Sequence, residues 1–171
     1  MNYALNNGTI KTDDGDDTLT GTSIYAGIWN QGTLLDTGSG NDIITGTGGN
    51  WGYINYGSAL NTSDGNDTIT GISAASTNGN GFDNSGRINT GDGDDIITGI
   101  SNAIYSTSEG SGLKNSLNTY GLDTGNGNDI VTGISNNDGI SNYSSTINTS
   151  NGDDSIIADG GFNGIYNYSI S

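Results

Sequence analysis

The stretch Asp36–Gly46, DTGSGNDIITG, is one of six similar copies along the chain, and that recurrence limits the fold more than anything else in the sequence. The other copies are TDDGDDTLTG at Thr12–Gly21, TSDGNDTITG at Thr62–Gly71, TGDGDDIITG at Thr90–Gly99, TGNGNDIVTG at Thr124–Gly133 and TSNGDDSIIA at Thr149–Ala158. The second Asp of each turn marks the period: Asp17, Asp42, Asp67, Asp95, Asp129 and Asp154, spaced by 25, 25, 28, 34 and 25 residues. Self-similarity at such a period is the signature of a solenoid, in which each unit buries its apolar face only by stacking on its neighbours.

Two further landmarks hold the same phase in every unit. One is a Gly-apolar-x-Asn step, as in GIWN at Gly27–Asn30, GYIN at Gly52–Asn55 and GFDN at Gly81–Asn84; it returns at Gly112–Asn115, Gly139–Asn142 and Gly164–Asn167. The other is an apolar residue two before the turn threonine: Ile10, Leu35, Leu60, Ile88, Leu122 and Ile147. The longer third and fourth units carry extra residues chiefly around Ser76–Asn80 and Ala103–Ser111, which reads as loops on one edge of a stack. Each unit therefore holds three short apolar pieces with period-2 alternation, interrupted too often by Gly and Asn for a helix. The expected fold is all-β: one single-stranded parallel β-solenoid, three-sided, of about six coils of ~25 residues, spanning residues 1–171 as one domain without evident caps.

The alternation assigns faces. Leu19, Ile44, Ile69, Ile97, Val131 and Ile156 point inward from the first strand of each coil. Ile28, Tyr53, Phe82, Leu113, Ile140 and Ile165 do so from the second, and the residues two before the turn Thr from the third. Asn30, Asn55, Asn84, Asn115, Asn142 and Asn167 share inward parity and are expected to form an internal amide ladder. Thr18 with Thr20, Ile43 with Thr45, Thr68 with Thr70, Ile96 with Thr98 and Ile130 with Thr132 point outward. Such a Thr-x-Thr face can order water against ice, but Ile43, Ile96 and Ile130 interrupt one column, and ordinary β-propensity on an exposed face is the simpler explanation.

Composition narrows the function. The net charge is -16, with 19 acidic residues, of which only Glu109 is Glu, against three basic ones, Lys11, Arg87 and Lys114. That surface repels phosphate backbones and anionic membranes, so nucleic-acid binding is not expected, and it attracts cations. No apolar run is long enough to insert into a membrane. The absence of Cys and His removes thiolate chemistry and most zinc or copper sites. It also removes the usual groups of acyl transfer, so an enzyme is not expected. The breaks in the repeat that an active site would need are the Ala103–Ser111 loop, with Tyr105 and Glu109, and Arg87.

Stacking would set the turn residues in three columns, neighbours ~5 Å apart. The column next to the strand, called inner for that position in the sequence alone, is Asp17, Asp42, Asp67, Asp95, Asp129 and Asp154; the adjacent, middle one is Asp16, Asn41, Asn66, Asp94, Asn128 and Asp153. The outer one is Asp14, Ser39, Asp64, Asp92, Asn126 and Asn151. Like charges at that separation repel by about 1 kcal/mol in water and by more when partly buried. A hard divalent cation with oxygen ligands relieves this, and Ca2+ suits Asp, Asn and Gly carbonyls in a flexible turn. The alternative is that each Asp bonds its own turn amides as an Asx-turn and holds no metal.

Thr37–Thr45 (TGSGNDIIT), Gly91–Thr98 (GDGDDIIT) and Gly125–Thr132 (GNGNDIVT) resemble the nonapeptide of hemolysin-type calcium-binding (RTX) repeats, over about ten residues of each unit. That resemblance implies calcium held by turn Asp residues and turn carbonyls, and it implies secretion. The family repeats its nonapeptide in tandem; here one such turn occurs per coil and Thr stands where the family has its first Gly, so the implied calcium lies along one edge. An outward aromatic group, Trp29, Tyr56, Tyr143, Tyr166 and Tyr168, offers rings to a polysaccharide or to another molecule, with Asp83 and Lys114 breaking it. MNYALNNGTI shows no cleaved signal peptide. Tyr3–Thr12 matches Gly81–Thr90, so the chain starts and stops within a coil, and head-to-tail self-association into filaments is expected. The combined expectation is an extracellular structural protein binding calcium along its turns, with an ice- or polysaccharide-binding module as the alternative.

Overall fold

The computed structural model describes residues 4–6, 8–74, 79–103, 110–116 and 121–169. It is a parallel β-solenoid, and no described residue is helical. Sheet I, after the Asp turn, stacks Thr18–Ser23, Ile43–Gly48, Thr68–Ser73, Ile96–Ser101, Ile130–Ser135 and Ser155–Gly160. Sheet II stacks Ala4–Asn6, Ala26–Gln31, Trp51–Tyr56, Phe82–Asn84, Leu113–Ser116, Asp138–Tyr143 and Asn163–Tyr168. Sheet III, just before the turn, holds Thr9–Lys11, Leu34–Asp36, Ala59–Asn61, Arg87–Asn89, Leu122–Asp123 and Ile147–Asn148.

Every ladder pairs equivalent residues of successive units. Ile69, Ile97 and Val131 lie in one row, as do Tyr53, Phe82 and Leu113, although the units between them differ in length. The added residues fall in the sequence mainly between the strands of sheets I and II; residues 75–78 and 104–109, with Tyr105 and Glu109, lie outside the described residues. The fourth unit is also longer between sheets II and III, from Asn115 to Leu122, so the insertions are not confined to one corner as expected.

The core is one column of side chains from all three sheets. Ile44, Ile69, Ile97, Val131, Ile28, Leu113, Ile140, Leu35, Leu60, Ile88 and Leu122 are buried, and Tyr53 stacks on Phe82 with centroids 4.8 Å apart. Ile156 and Ile165 keep inward register with Val131 and Ile140 but are 45% and 56% exposed, because no described coil covers them.

The six-residue strands of sheet I carry glycine at the same middle position in five of six cases, with Ala158 in the last. A Cβ on Gly71 would lie 2.2 Å from the Gly81 carbonyl oxygen, and one on Gly99 2.2 Å from that of Gly112. The first Gly of the Gly-apolar-x-Asn step is the other half of each pair: a Cβ on Gly81 would lie 2.1 Å from the Ile100 amide. Sheets I and II thus meet backbone to backbone along one side, and the apolar core fills the wider remainder.

The asparagine ladder is continuous. Nδ2 of Asn30, Asn55, Asn84, Asn115 and Asn142 each donates to Oδ1 of the next Asn, at 2.8 to 3.0 Å. The amides also donate to carbonyls of the next coil, Asn30 to Ala59 at 3.0 Å, Asn55 to Arg87 at 3.1 Å and Asn115 to Thr146 at 2.9 Å. The corner between sheets II and III is thereby cross-linked coil to coil without metal or disulfide.

Candidate functional site along the aspartate turns

Each turn is bent by a residue with positive φ after the Thr and by a glycine two residues further on. At the first position stand Asp13, Gly38, Ser63, Gly91, Gly125 and Ser150; at the second Gly65 has φ 148°. A Cβ on Gly65 would lie 1.9 Å from the Gly40 carbonyl oxygen, so both conformation and spacing demand glycine. The Gly65 amide in turn donates to the Asp92 carbonyl at 2.9 Å.

The three acidic columns form as the register requires, with different surroundings. Asp42, Asp67, Asp95 and Asp129 are at most 1% exposed, while Asp17 and Asp154 at the two end turns are half-buried. The middle and outer columns, including Asp16, Asn41, Asn66, Asp94, Asn128, Asp153, Asp64 and Asp92, are exposed or nearly so.

Their hydrogen bonds run between coils. The amides of Asp17, Asp42, Asp67, Asp95 and Asp129 each donate to Oδ1 of the inner Asp one coil later, at 2.8 to 3.0 Å. In the middle column the direction reverses: Asp16, Asn41, Asn66, Asp94 and Asn128 accept from amides of the following coil at 2.7 to 2.9 Å. Asp14, Asp64 and Asp92 do the same in the outer column. The side chains therefore satisfy a neighbour's amides rather than their own turn's, which replaces the Asx-turn picture with an inter-coil ladder.

The inner carboxylates are short of donors. Oδ2 of Asp17, Asp42, Asp67 and Asp95 is buried without a hydrogen-bond partner. Thr62 and Thr90 sit beside Asp67 and Asp95. Each hydroxyl has one proton, and it points at the Thr carbonyl of the next coil, at 3.3 and 3.2 Å. At Asp129 the choice goes the other way, with Thr124 donating to Oδ2 at 2.6 Å. The buried threonines, at the position where the resemblance has Gly, are the site residues that sequence reasoning passed over. Their constant offset of five from the inner Asp was the available signal.

Burial, reinforced by the neighbouring Asp charges, pushes Asp67 up to about 6 and Asp95 up to about 7, and burial raises Asp129 as well. Two events relieve such a column: a proton or a cation. Ca2+ is a match for the donor set, which is all hard oxygen: orphaned carboxylate Oδ2 atoms, Asn carbonyls and turn carbonyls. Among the described residues no three acidic side chains converge on one metal-sized centre, so any ion draws on amide and backbone oxygens too.

No family model, curated protein or solved structure matches this chain. The function rests on the chain's own geometry.

A pH dependence follows for the metal-free protein. Folded Asp67 and Asp95 hold protons that unfolded carboxyls, near 3.8, have already released. Their stabilising contribution is full below about pH 4 and is lost as pH rises through about 6 and 7. In the presence of chelator, the melting temperature is expected to be lower at pH 8 than at pH 5, and Asp95→Asn to shrink that difference. A melting temperature that climbs over the same interval contradicts this picture.

Proposed function

We propose that the chain is an extracellular structural solenoid that takes up calcium along its turn edge and stacks end to end. The observation that carries the reading is the buried inner column, whose unpartnered carboxylate oxygens at Asp17, Asp42, Asp67 and Asp95 lack a compensating charge. Those residues, with Asp129 and Asp154 and the Asp and Asn side chains of the middle column, would hold the ions. Calcium would supply positive charge between coils and bind each coil to the next. Extracellular calcium-binding modules in general work at Kd values of ~10⁻⁴–10⁻³ M, and the proposed sites would fall in that range. No catalytic step is part of the proposal.

Ala4–Asn6 and Asn163–Tyr168 are the two edge strands of sheet II, and Ile156 and Ile165 leave apolar surface at the last rung. In an end-to-end stack, Ala4–Asn6 of one copy would pair with Asn163–Tyr168 of another and extend sheet II, which has seven strands against six in sheets I and III.

Thermal melting with calcium and with excess chelator tests the metal. Binding at a hundred times Kd stabilises by about 2.7 kcal/mol per site, and each kcal/mol moves the midpoint by about 2–4 °C in a domain of this size. Chelation is therefore expected to lower the melting temperature by at least about 5 °C. Identical melts in calcium and chelator overturn the calcium reading.

A further inference from the structure

The outer face of sheet I stands apart from the acidic surface around it. Its central column is Thr20, Thr45, Thr70, Thr98 and Thr132. One flank carries Thr18, Ile43, Thr68, Ile96 and Ile130, and the six-residue strands add a second flank of Thr22, Thr47, Ile72, Ile100 and Ile134. Over these five rungs of a chain with net charge -16 the face bears no charge; Asp159 enters only at the sixth. Ile43, Ile96, Ile130 and Ile134 are 36 to 47% exposed although the core has apolar positions to offer. The outer faces of sheets II and III, by contrast, each carry an ion pair, Lys114 with Asp83 and Lys11 with Asp36.

The face is also a lattice. Register is kept through units of unequal length, so side chains repeat at ~4.8 Å between rungs and ~6.6 Å along each strand. Thr and Ile are β-branched and stiff at χ1, which makes the array rigid as well as regular. A two-dimensional repeat of methyls and hydroxyls without charge is complementary to a repeating surface rather than to an irregular one.

Three occupants can be compared. A second copy would meet a patch of roughly 500 Å², taken from those spacings, against about 800 Å² per partner in a stable complex, and it would strip water from the threonine hydroxyls. A crystalline polysaccharide is gripped by stacked rings, and this face has none; the rings lie on or beside sheet II, as Trp51 with Tyr25 and Tyr143 with Tyr168. Ordered water needs only what is present: a regular, stiff, uncharged array whose methyls structure the first water layer and whose hydroxyls anchor it. We propose that the outer face of sheet I binds the surface of ice crystals.

The test is partition into slowly growing ice, with thermal hysteresis and recrystallisation measured on the same calcium-loaded samples. The native chain is expected to be enriched in the ice and to retard recrystallisation. Thr98→Lys, at the centre of the face, is expected to abolish both while keeping the native melting temperature, and Tyr56→Ala on sheet II to abolish neither. Should Thr98→Lys melt early, Ile43→Lys, at a position already 47% exposed, makes the same test. Exclusion of the native chain from ice overturns the proposal. So does a Thr98→Lys protein that still enters ice. Capture by crystalline cellulose or chitin with no effect on ice, or a dimer that Thr98→Lys dissociates, assigns the face to another occupant and overturns it equally.

Discussion

Gly99→Val is expected to destabilise the solenoid severely. The new Cβ would fall 2.2 Å from the Gly112 carbonyl oxygen and 3.0 Å from Cβ of Phe82. Neither is the far end of a flexible side chain, so the clash is relieved only by parting sheets I and II. Gly112 cannot retreat, since a Cβ at its own position would lie 2.2 Å from the Ile134 amide of the next coil. Overpacking commonly costs 1–3 kcal/mol, and a clash between two backbones belongs beyond that range, at least about 3 kcal/mol. Because coils are stable only on their neighbours, the loss spreads along the stack. Circular dichroism is expected to show a weaker β-signal and a melting temperature lowered by at least about 6 °C. A native-like spectrum and melt would mean that the two sheets are not in backbone contact at this rung.

Asn84→Leu is the second large effect. The side chain is about isosteric and the site fully buried, so packing changes little while the amide is lost. Asn55 loses the acceptor it reaches at 2.9 Å, Asn115 loses the donor at 2.8 Å, and the Gly86 amide loses its partner at 3.1 Å. Each buried group left unsatisfied costs about 1–3 kcal/mol, so the sum is about 3–5 kcal/mol after partial rearrangement. Asn61→Leu, which removes an amide from a partly exposed position on sheet III, is expected to cost about 1 kcal/mol or less. Denaturant unfolding of the two variants side by side reads the contrast, and equal midpoints would deny the internal ladder its structural weight.

Much of this architecture was legible in the residues. The recurrence of Asp-turn, Gly-apolar-x-Asn and apolar-x-Thr in fixed phase determined three strands per coil, and alternation then selected Ile44, Tyr53 and Leu60 as core and Asn55 as an internal rung. What escaped had specific physical causes. The Gly after each Thr-x-Thr reads locally as a strand end, whereas Gly46 and Gly71 lie mid-strand because another backbone needs the space. That misreading hid the second flank of the outer face, Thr47, Ile72, Ile100 and Ile134. The alternative of self-capping turn Asp residues arises because Asx-turns are local. In the stack, the amide that reaches Asp67 Oδ1 belongs to Asp42, a whole coil away, and only the register reveals it. Nor does a string of Asp and Gly disclose that its second Asp is buried and its first is not; the side of the turn each occupies decides that.

The most direct test of the calcium-bound edge is a count of the metal itself. Equilibrium dialysis of the intact chain against buffered calcium, with the bound ion quantified per chain, is expected to find several ions, on the order of one per pair of adjacent turns. Asp67→Asn combined with Asp95→Asn is expected to lower the count while the β-signal persists. A native chain that retains no calcium at millimolar free ion, and folds as well without it, would contradict the account and leave the buried column to its protons.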